Sequence, residues 1–515
     1  MWKIKKLAVA ATLIAFSFSV SAQTKSPKRG VGWDEANHRI TNAPIEKMLL
    51  GVSWLYNWGP AQSGDATNLG TADGMGFAPM CWNGNYDEAR IRTYIESHRD
   101  GVKYLLGFNE PNFSAQSNMT PAVAAAKWTD VEAIAADYGL TLVAPALNFT
   151  GEKVGGRTWS PYEWLDEFIK QYKVRNGKLP RLDCLALHCY MSWYGSCLWF
   201  ATEYFNKDLY DSTKEAYGQY PNIVELLDDY KASHGHYPRM MLTEFCAWEG
   251  AEAGFTLNLE NQIDQMTQKI QKLEQSDLVE GYAWFMANAG GGAKESPYMS
   301  VFETNTPNSE LSTLGVVFVN MSSFDTEKYY TLNERIMAKD YVDATTDDFK
   351  VVVRPNTEAG SDIPLQIQLP RNAYPTYLID VPATGNYNVV VRINTTEEGA
   401  LMFCVDKDKA TAPTLTLPNT NGLWRDYEFE VALPQGKHIV WLCNKGKAPL
   451  LLNSWRFVNS TALRLPQSAT AHGLAQVYDL SGILVAETED VESLSLRNGV
   501  YIVKQGGIVD RVMKK

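Results

Sequence analysis

Several motifs that mark common enzyme classes are missing from this sequence of 515 residues. It contains no G-x-S-x-G elbow of the α/β-hydrolases, no G-x-G-x-x-G fingerprint and no P-loop. The three glycines at 290–292 lack the Lys-Ser/Thr pair of a phosphate-binding loop, so we interpret them as an ordinary loop. The chain therefore gives weak support to a serine hydrolase or a nucleotide-binding protein.

Cysteine is scarce, with seven residues in the whole chain. Cys184, Cys189 and Cys197 lie close together in the sequence, but they lack the paired C-x-x-C spacing of a zinc site. Buried apolar cysteines, or one disulfide, are the better interpretation. We expect no metal centre.

Positive charge is in short supply. The formal net charge is −12, because 47 Lys and Arg face 59 Asp and Glu. An acidic surface argues against nucleic acid and anionic membranes as partners, whereas a neutral polysaccharide would not be repelled. Aromatic residues, by contrast, reach 12%. This content suits either large apolar cores or the stacking of aromatic faces on sugar rings.

Apolar runs long enough to span a membrane are also absent. Residues 1–22 instead have the parts of a secretory signal peptide. Lys3, Lys5 and Lys6 precede the apolar stretch LAVAATLIAFSFSV, and small residues precede a cleavage site after Ala22. The sequence therefore predicts a secreted or cell-surface protein.

Short apolar strands alternate with longer amphipathic segments from residue 28 to 322. The eight predicted strands are RGVGW (29–33), GVSWLYNW (51–58), GFAPMCW (76–82), YLLGFNEP (104–111), LTLVAPAL (140–147), CLALHCYM (184–191), RMMLTEFCAW (239–248) and GYAWFMAN (281–288). Eight such units in roughly 250–300 residues are typical of an α/β fold, the (β/α)8 TIM barrel. One intervening helix is predicted to begin at Thr120 and Pro121 and to end at Gly139.

The helical pattern stops after the barrel. From 338 to 460, Val, Thr and Tyr alternate with polar residues between turns, which predicts a β-sandwich of the jelly-roll type. Residues 466–515 are again rich in strand formers and predict a small all-β C-terminal domain.

Two glutamates lie where a barrel of this kind places its chemistry, at the C-terminal ends of strands. Glu110 ends the fourth predicted strand and Glu244 lies in the seventh. Strands three apart face each other across the mouth of an eight-stranded barrel, so the two carboxylates should meet there. Such a pair is what glycoside hydrolysis requires. For either Glu alone, a polar residue where a strand meets solvent is the simpler interpretation.

Strand alternation also predicts the surroundings of both carboxylates. It places Leu106 and Phe108 on the same face as Glu110, and Leu242 on the same face as Glu244. Partial desolvation by these apolar rows would raise a carboxyl pKa, as a general acid requires.

Motifs spread over the barrel resemble a known enzyme family. GFNEP and TEF resemble the strand ends of the retaining (β/α)8 glycoside hydrolases. More narrowly, KRGVGW, WLYNWG, FAPMCW, LLGFNEPN, LALHCY and LTEFCAW, in this order over residues 28–320, resemble glycoside hydrolase family 128 and related fungal cell-wall proteins. The resemblance implies an endo- or exo-acting β-1,3-glucanase that retains anomeric configuration and needs no cofactor. It implies Glu110 as acid/base and Glu244 as nucleophile, about 5–5.5 Å apart.

Neighbouring residues complete the predicted site. Pro111 should hold Glu110 in extended backbone, and Asn109 could hydrogen-bond a sugar hydroxyl. Alternation points His188 and Tyr190 into the barrel; Tyr190 could bind the nucleophile, and His188 could orient Tyr190 or a sugar hydroxyl, or be a core histidine. Three tryptophans at or just past strand ends could form sugar platforms or pack under the rim: Trp58, Trp82 and Trp284.

The appended domains carry resemblances of their own. TGNYNVVVRI, LPNTNGLWRDYEFEVALPQGKHIVWL and LLLNSWRF resemble a family 6 carbohydrate-binding module, which implies sugar contacts at Trp424 and Asn453. Packing is the alternative for Trp424. QVYDLSGILV and LRNGVYIVK near the C-terminus resemble the type IX sorting domain of Bacteroidetes, which implies the type IX secretion machinery as a partner and an outer-membrane or secreted location.

Two classes of function stay open at this point. The first is a secreted, retaining β-1,3-glucanase that acts as a monomer, with a related barrel hydrolase for another β-glucan or mannan as its variant. The second is a non-catalytic glucan-binding surface protein. That second class predicts that a carboxylate has been lost, whereas both carboxylates are present.

Overall fold

The computed structural model describes residues 23–34, 42–62, 68–192, 195–198, 219–249, 256–293, 296–460, 475–480, 482–488, 494, 496, 499–505 and 508–514. The predicted signal peptide, residues 1–22, lies outside the described residues.

The N-terminal part of the chain alternates strands and helices. Its strands are β1 (Arg29–Gly32), β2 (Trp54–Tyr56), β3 (Gly76–Phe77), β4 (Tyr104–Leu106), β5 (Thr141–Val143), β6 (Lys153–Val154), β7 (Arg157–Thr158), β8 (Cys184–Met191), β9 (Arg239–Glu249) and β10 (Val279–Trp284). Its helices are α1 (Asn42–Met48), α2 (Glu88–Ser97), α3 (Pro121–Tyr138), α4 (Pro161–Asn176), α5 (Pro221–His234), α6 (Leu259–Gln275) and α7 (Thr313–Asn320).

Eight of these strands form one parallel sheet in the order β3-β2-β1-β10-β9-β8-β5-β4. A parallel bridge between Met80 and Leu106 joins the two ends of the sheet, and β6 and β7 form a separate antiparallel pair. The prediction of an eight-stranded barrel is thus confirmed as a nearly closed parallel sheet. The fourth strand, however, ends at Leu106 rather than at residue 111.

The predicted helix caps of α3 are confirmed. The Thr120 side chain accepts a hydrogen bond from the Val123 N–H, Pro121 occupies the first turn, and Gly139 ends the helix in a left-handed conformation with φ +67°. Gly139 can adopt this conformation at little cost because it has no Cβ.

The barrel sheet separates two apolar layers. Its interior combines small side chains, such as Ala78 and Ala186, with large aromatic ones, such as Trp54 and Tyr104. Leu185 and Leu187 belong instead to the large core outside the sheet, where the helices pack. Alternation along β8 therefore points His188 and Tyr190 into the mouth of the barrel, as predicted.

The C-terminal part of the chain is antiparallel. Its strands are β11 (Ile336–Met337), β12 (Asp343–Ala344), β13 (Val352–Pro355), β14 (Leu365–Leu369), β15 (Pro375–Val381), β16 (Gly385–Asn394), β17 (Gly399–Val405), β18 (Thr414–Leu417), β19 (Arg425–Leu433), β20 (Gly436–Asn444), β21 (Leu450–Asn459), β22 (Ala475–Tyr478), β23 (Leu484–Thr488), β24 (Gly499–Gln505) and β25 (Ile508–Lys514).

These strands form two sheets that pack against each other. The smaller has the order β12-β15-β20-β17-β18, and the larger runs β13-β14-β21-β16-β19-β25-β24-β22-β23 with β11 beside β21. Phe403 of the first contacts Trp455 of the second, with ring centroids 5.9 Å apart. We call residues 336–460 the antiparallel region. The C-terminal strands join its larger sheet where β25 pairs with β19.

All seven cysteines are buried and free, so the structure contains neither the disulfide that the sequence allowed nor a paired-cysteine metal site. Among the described helices, none has the length and apolar character needed to cross a membrane.

Candidate active site

The two predicted carboxylates meet at the mouth of the barrel. One carboxylate oxygen of Glu110, one of Glu244 and a ring nitrogen of His188 lie within 4.8 Å of one another. His188 Nδ1 lies 2.6 Å from Glu110 Oε1 and 3.3 Å from Glu244 Oε2. None of the three side chains is more than 6% exposed. The site is therefore a buried pair of acids bridged by one imidazole.

The backbone at Glu110 contradicts the prediction of an extended conformation. Its φ is +44°, in the left-handed region. The Glu110 N–H donates to the Ala146 carbonyl at 2.8 Å, and its carbonyl accepts from the Phe113 N–H at 3.0 Å. These two bonds fix a tight turn and outweigh the preference that Pro111 imposes. Unfavourable backbone of this kind is concentrated at functional sites.

The predicted apolar row beside Glu110 is also wrong, because the strand ends before it. Leu106 faces the barrel interior. Phe108 instead packs outside the sheet against Trp128 of α3, with ring centroids 5.5 Å apart. Burial of Glu110 therefore comes from the turn and its polar neighbours.

An irregularity in β9 directs Glu244 inward. In the pairing with β8, Leu242 opposes Leu187 and Glu244 opposes His188, so Thr243 is an extra residue. Leu242 consequently faces the outer core while Glu244 faces the mouth, and the prediction that they share a face is wrong. An extra residue of this kind changes the direction of the side chains that follow.

Three donors hold Glu244 in place. The Trp58 indole N–H donates to Oε1 at 2.7 Å. The Tyr56 hydroxyl is shared between the Thr243 carbonyl at 2.9 Å and Glu244 Oε1 at 3.3 Å. The Tyr190 hydroxyl makes a short hydrogen bond to Oε2, as the sequence predicts for the nucleophile. Bonds of this kind stabilise the ionised carboxylate.

Glu110 is held through a single oxygen. The Asn148 amide donates to Oε1 at 2.7 Å, and His188 Nδ1 donates to the same atom. Among the described residues, Glu110 Oε2 has no hydrogen-bond partner. This oxygen is therefore the one that can carry a proton toward a ligand.

Burial and charge act in opposite directions on the cluster. Burial and the nearby charge of Glu110 raise the pKa of Glu244 above 4.5, although His188, Tyr190 and Trp58 oppose the shift. Burial alone would lower the pKa of His188, but the charges of Glu244 and Glu110 outweigh it, so that its pKa is raised above 6.5. The two acids therefore favour the protonated form of the imidazole, against the effect of burial.

An open cleft of about 330 Å³ lies over the carboxylates. Of the predicted residues, Asn109, Trp58, Trp82 and Tyr190 line it together with both glutamates. Asn109 Oδ1 is buried and has no hydrogen-bond partner within the described part of the chain. An unpaired buried acceptor at a cleft is suited to a ligand hydroxyl.

Comparison with known proteins identifies the family of the barrel part of the chain. A family model described as the glycosyl hydrolase catalytic core matches residues 30–318, more than half of the chain. The chain belongs to this family of glycosyl hydrolases.

Solved structures of similar proteins cover the same part of this glycosyl hydrolase. A family 128, subgroup II, endo-β-1,3-glucanase from Pseudomonas viridiflava is 30% identical, covers 57% of this chain and 98% of its own, and has a TM-score of 0.43. The corresponding Sorangium cellulosum enzyme is 28% identical, with coverages of 57% and 97% and a TM-score of 0.40. A curdlan-specific exo-β-1,3-glucanase from Blastomyces gilchristii is 22% identical, with coverages of 50% and 89% and a TM-score of 0.32. A search of the curated proteins found no match.

Sequence reasoning missed several residues of the glycosyl hydrolase cleft. The additional lining residues are Asp34, Phe113, Gln116, Asn148, Phe285 and Met286. Asn148 could have been found, because it directly follows the fifth predicted strand, where the strand-end rule applies. It is held by Asn112, whose amide oxygen accepts from the Asn148 N–H at 3.1 Å.

Two predicted sugar contacts, Trp284 and His188, are not among the residues that line the cleft. Trp284 is fully buried in the outer core, where its indole donates to the Met299 carbonyl and its ring packs on Phe245. Ala283 takes the inward position instead, so the sugar-platform prediction for Trp284 is wrong. His188 is 1% exposed and bonds Glu110 and Thr243, which leaves it no surface for a sugar.

The two sugar contacts predicted in the antiparallel region, Asn453 and Trp424, differ in their surroundings. Asn453 is 1% exposed, donates to Glu358 and accepts from the Ser454 hydroxyl. These bonds contradict its prediction as a sugar ligand. Trp424 is half-buried just before β19, and a role in sugar binding there stays a prediction.

Glu110, His188 and Glu244 also have the residue types and spacing of a metal site. Each group, however, is already engaged by hydrogen bonds from within the cluster or from Asn148, Trp58 and Tyr190. The donor set therefore fits acid–base chemistry better than ligation of a cation.

Proposed function

We propose that this glycosyl hydrolase cleaves β-1,3-glucan by a two-step displacement that retains anomeric configuration. The observation that carries the proposal is the close, imidazole-bridged pair of Glu110 and Glu244 under an open cleft. Carboxyl groups of inverting enzymes stand about 6.5–9.5 Å apart to admit a water, whereas those of retaining enzymes are closer. Approach of carboxylate oxygens within 4.8 Å supports the second arrangement.

The hydrogen bonds support a division of roles. Glu244 is fixed through both oxygens by donors that favour its anion, which suits the nucleophile. Glu110 keeps Oε2 for a proton, which suits the acid/base. In the first step Glu110 protonates the glycosidic oxygen while Glu244 attacks C1, so that the C1–O bond breaks and a glycosyl ester forms. In the second step Glu110 takes a proton from water, whose oxygen attacks C1 and releases Glu244.

The substrate class rests on sequence relationship. The Pseudomonas viridiflava protein, 30% identical over 98% of its length, is an endo-β-1,3-glucanase. Trp58 and Trp82 line the cleft and offer aromatic faces to a glucan. We also propose the secreted or cell-surface location, the type IX route and the carbohydrate-binding role of the antiparallel region, on the motifs that predict them.

A substrate panel tests the proposal. Purified protein is incubated with β-1,3-glucan, β-1,4-glucan and β-mannan, and reducing ends are measured. We expect release from β-1,3-glucan and at least tenfold less from the others. Equal release from another polymer would move the specificity to a related barrel hydrolase. Binding of β-1,3-glucan without release from any polymer would favour the non-catalytic alternative.

A further inference from the structure

Helix α6 is buried on every side although most of its sequence is polar. Each side chain from Gln262 to Gln271 is buried. Its apolar side chains form one stripe that includes Ile263, Met266, Ile270 and Leu273, and the polar face of such a helix is usually exposed to water. Buried polar groups need hydrogen-bond partners. The partners of α6 therefore explain why it lies inside the molecule.

Of these residues, Lys269 carries a charged group that is costly to bury. Its side chain is fully buried, and its ammonium group donates to the Met191 carbonyl at 2.5 Å and to the Cys246 carbonyl at 3.0 Å. Within the described part of the chain, no ion pair connects it to a carboxylate. Burial lowers the pKa of Lys269, with only the thiols of three cysteines opposing the shift. A buried ammonium group that has only carbonyl acceptors costs folding free energy. Its presence at this position therefore suggests a role beyond stability.

The two carbonyls lie beside the catalytic side chains. Met191 follows Tyr190 directly, and Cys246 lies two residues after Glu244. The register between β8 and β9 slips here, because Cys189 opposes Phe245 but Met191 opposes Glu249. Ladder pairing is therefore lost just beyond the active site, and Lys269 connects the two strands in its place.

Two glutamines of α6 extend this connection. Gln262 accepts from the Ala247 N–H at 3.1 Å and donates to the Ala247 carbonyl at 3.3 Å. Gln265 donates to the Ser192 carbonyl. The ends of both strands are thus held by side chains of one helix.

The opposite face of α6 is held by the antiparallel region. Arg354 and Lys350 pair with Asp264 at 2.7 and 3.0 Å. Gln271 donates to the Asp343 carboxylate at 3.0 Å and to the Ala344 carbonyl at 2.8 Å. The helix therefore has fixed contacts on both sides.

We propose that Lys269 is a positioning residue of the active site: its ammonium group joins the ends of β8 and β9 and so sets Tyr190 against Glu244. The antiparallel region keeps α6, and with it Lys269, in place. The effect on turnover rests on the proposed function, whereas the structural connection does not.

The test compares Lys269→Met with Lys272→Met in the full chain. Lys272 lies on the same helix but is half-exposed. Its variant therefore removes one positive charge from α6 and leaves the hydrogen bonds of Lys269 intact. For Lys269→Met we expect kcat on β-1,3-glucan to fall roughly 10- to 100-fold, as for small displacements of reacting groups, with KM within about twofold. Hydrogen exchange should rise in the peptides covering 189–192 and 244–248. Lys272→Met should match the wild type in both.

The outcomes separate this proposal from the proposed function. If the wild type lacks β-1,3-glucanase activity, the proposed function is wrong. Hydrogen exchange then tests by itself whether Lys269 connects β8 and β9. Wild-type kcat and exchange in a folded Lys269→Met protein would overturn the proposal, as would equal losses in Lys272→Met. If Lys269→Met does not fold by circular dichroism, Lys269→Gln replaces it, because its amide can still donate to one carbonyl. A smaller loss of kcat in Lys269→Gln, with raised exchange in the same peptides, supports the proposal, and wild-type values overturn it.

Discussion

Two clusters of charge differ in their surroundings: one is buried in the barrel and the other is half-buried in the antiparallel region. At the barrel mouth two acids share one histidine, and the cluster is at most 6% exposed. In the antiparallel region Arg392 pairs with Glu358 at 2.5 Å and with Asp426 at 3.2 Å. There the side chains are 26%, 18% and 35% exposed.

The difference is one of charge balance and access. Arg392 keeps its positive charge at any physiological pH and presents a rigid fork of donors, so its acids are compensated. His188 can lose its charge, and burial together with the second acid raises the pKa of Glu244. The barrel cluster also faces a cleft with an unpaired acceptor on Asn109. An acidic pair therefore indicates catalysis only where its charges are incompletely compensated and a ligand can reach them.

The largest expected effect comes from removing the barrel acids. Glu244→Gln and Glu110→Gln should each lower kcat/KM on β-1,3-glucan by roughly 10³-fold or more. Glu110→Gln should lose much less on an aryl glycoside with a good leaving group, because that substrate needs no proton donor. Arg392→Met is the control from the other cluster and should stay within about twofold. Equal losses in all three variants would erase the distinction between the clusters.

Tyr190→Phe should have the next largest effect. It removes a charged hydrogen bond from Glu244 without changing the size of the side chain, so kcat/KM should fall about 10- to 30-fold. The hydroxyl bond lowers the pKa of Glu244, and its loss raises that pKa. The acidic limb of the pH profile of kcat/KM should therefore move to higher pH. An unmoved limb would mean that another group controls it.

Arg392→Met should act on stability alone. It leaves Glu358 and Asp426 unpaired, but partial exposure lets water screen them, so we expect a loss of about 1–2 kcal/mol. Chemical denaturation followed by tryptophan fluorescence measures the loss. A variant as stable as the wild type would show that the second cluster does not hold the sheet together.

Glu244→Gln should change stability by a smaller amount and with the opposite sign. A raised pKa means that the folded protein binds the proton of Glu244 more tightly than the unfolded chain does. This contribution is full below about pH 4.5 and is lost as pH rises through the folded pKa. Gln stays neutral, so the variant should melt slightly above the wild type at pH 7 and show little difference near pH 4. A lower melting temperature at pH 7 would contradict the charge imbalance.

The sequence predicted the elements that depend on local pattern. Apolar runs identified the eight barrel strands, and the strand-end rule identified Glu110 and Glu244. It failed where long-range contacts decide. The left-handed turn at Glu110 depends on the carbonyl of Ala146, and the irregularity at Thr243 depends on pairing with a distant strand. Position at a strand end did not settle the face of Trp284, because alternation along β10 places Ala283 inside the barrel and Trp284 in the outer core.

The buried helix α6 shows the same limit. Its amphipathic sequence is typical of a helix with one face exposed to water. The carbonyls that accept from Lys269 lie on two other elements, so the sequence of the helix does not show them. Only the assembled fold reveals that contact. Polar helix residues that belong to no recognisable motif can thus contact the strands of the active site.

The most direct test of the account is capture of the glycosyl ester. A 2-deoxy-2-fluoro-β-glucosyl fluoride extended by β-1,3-linked glucose should inactivate the enzyme slowly, because fluorine slows the second step. Digestion and mass spectrometry should then find the sugar on the peptide containing Glu244, and not in Glu244→Gln. An unlabelled enzyme whose first product from β-1,3-glucan has the α configuration by NMR would contradict the two-step mechanism.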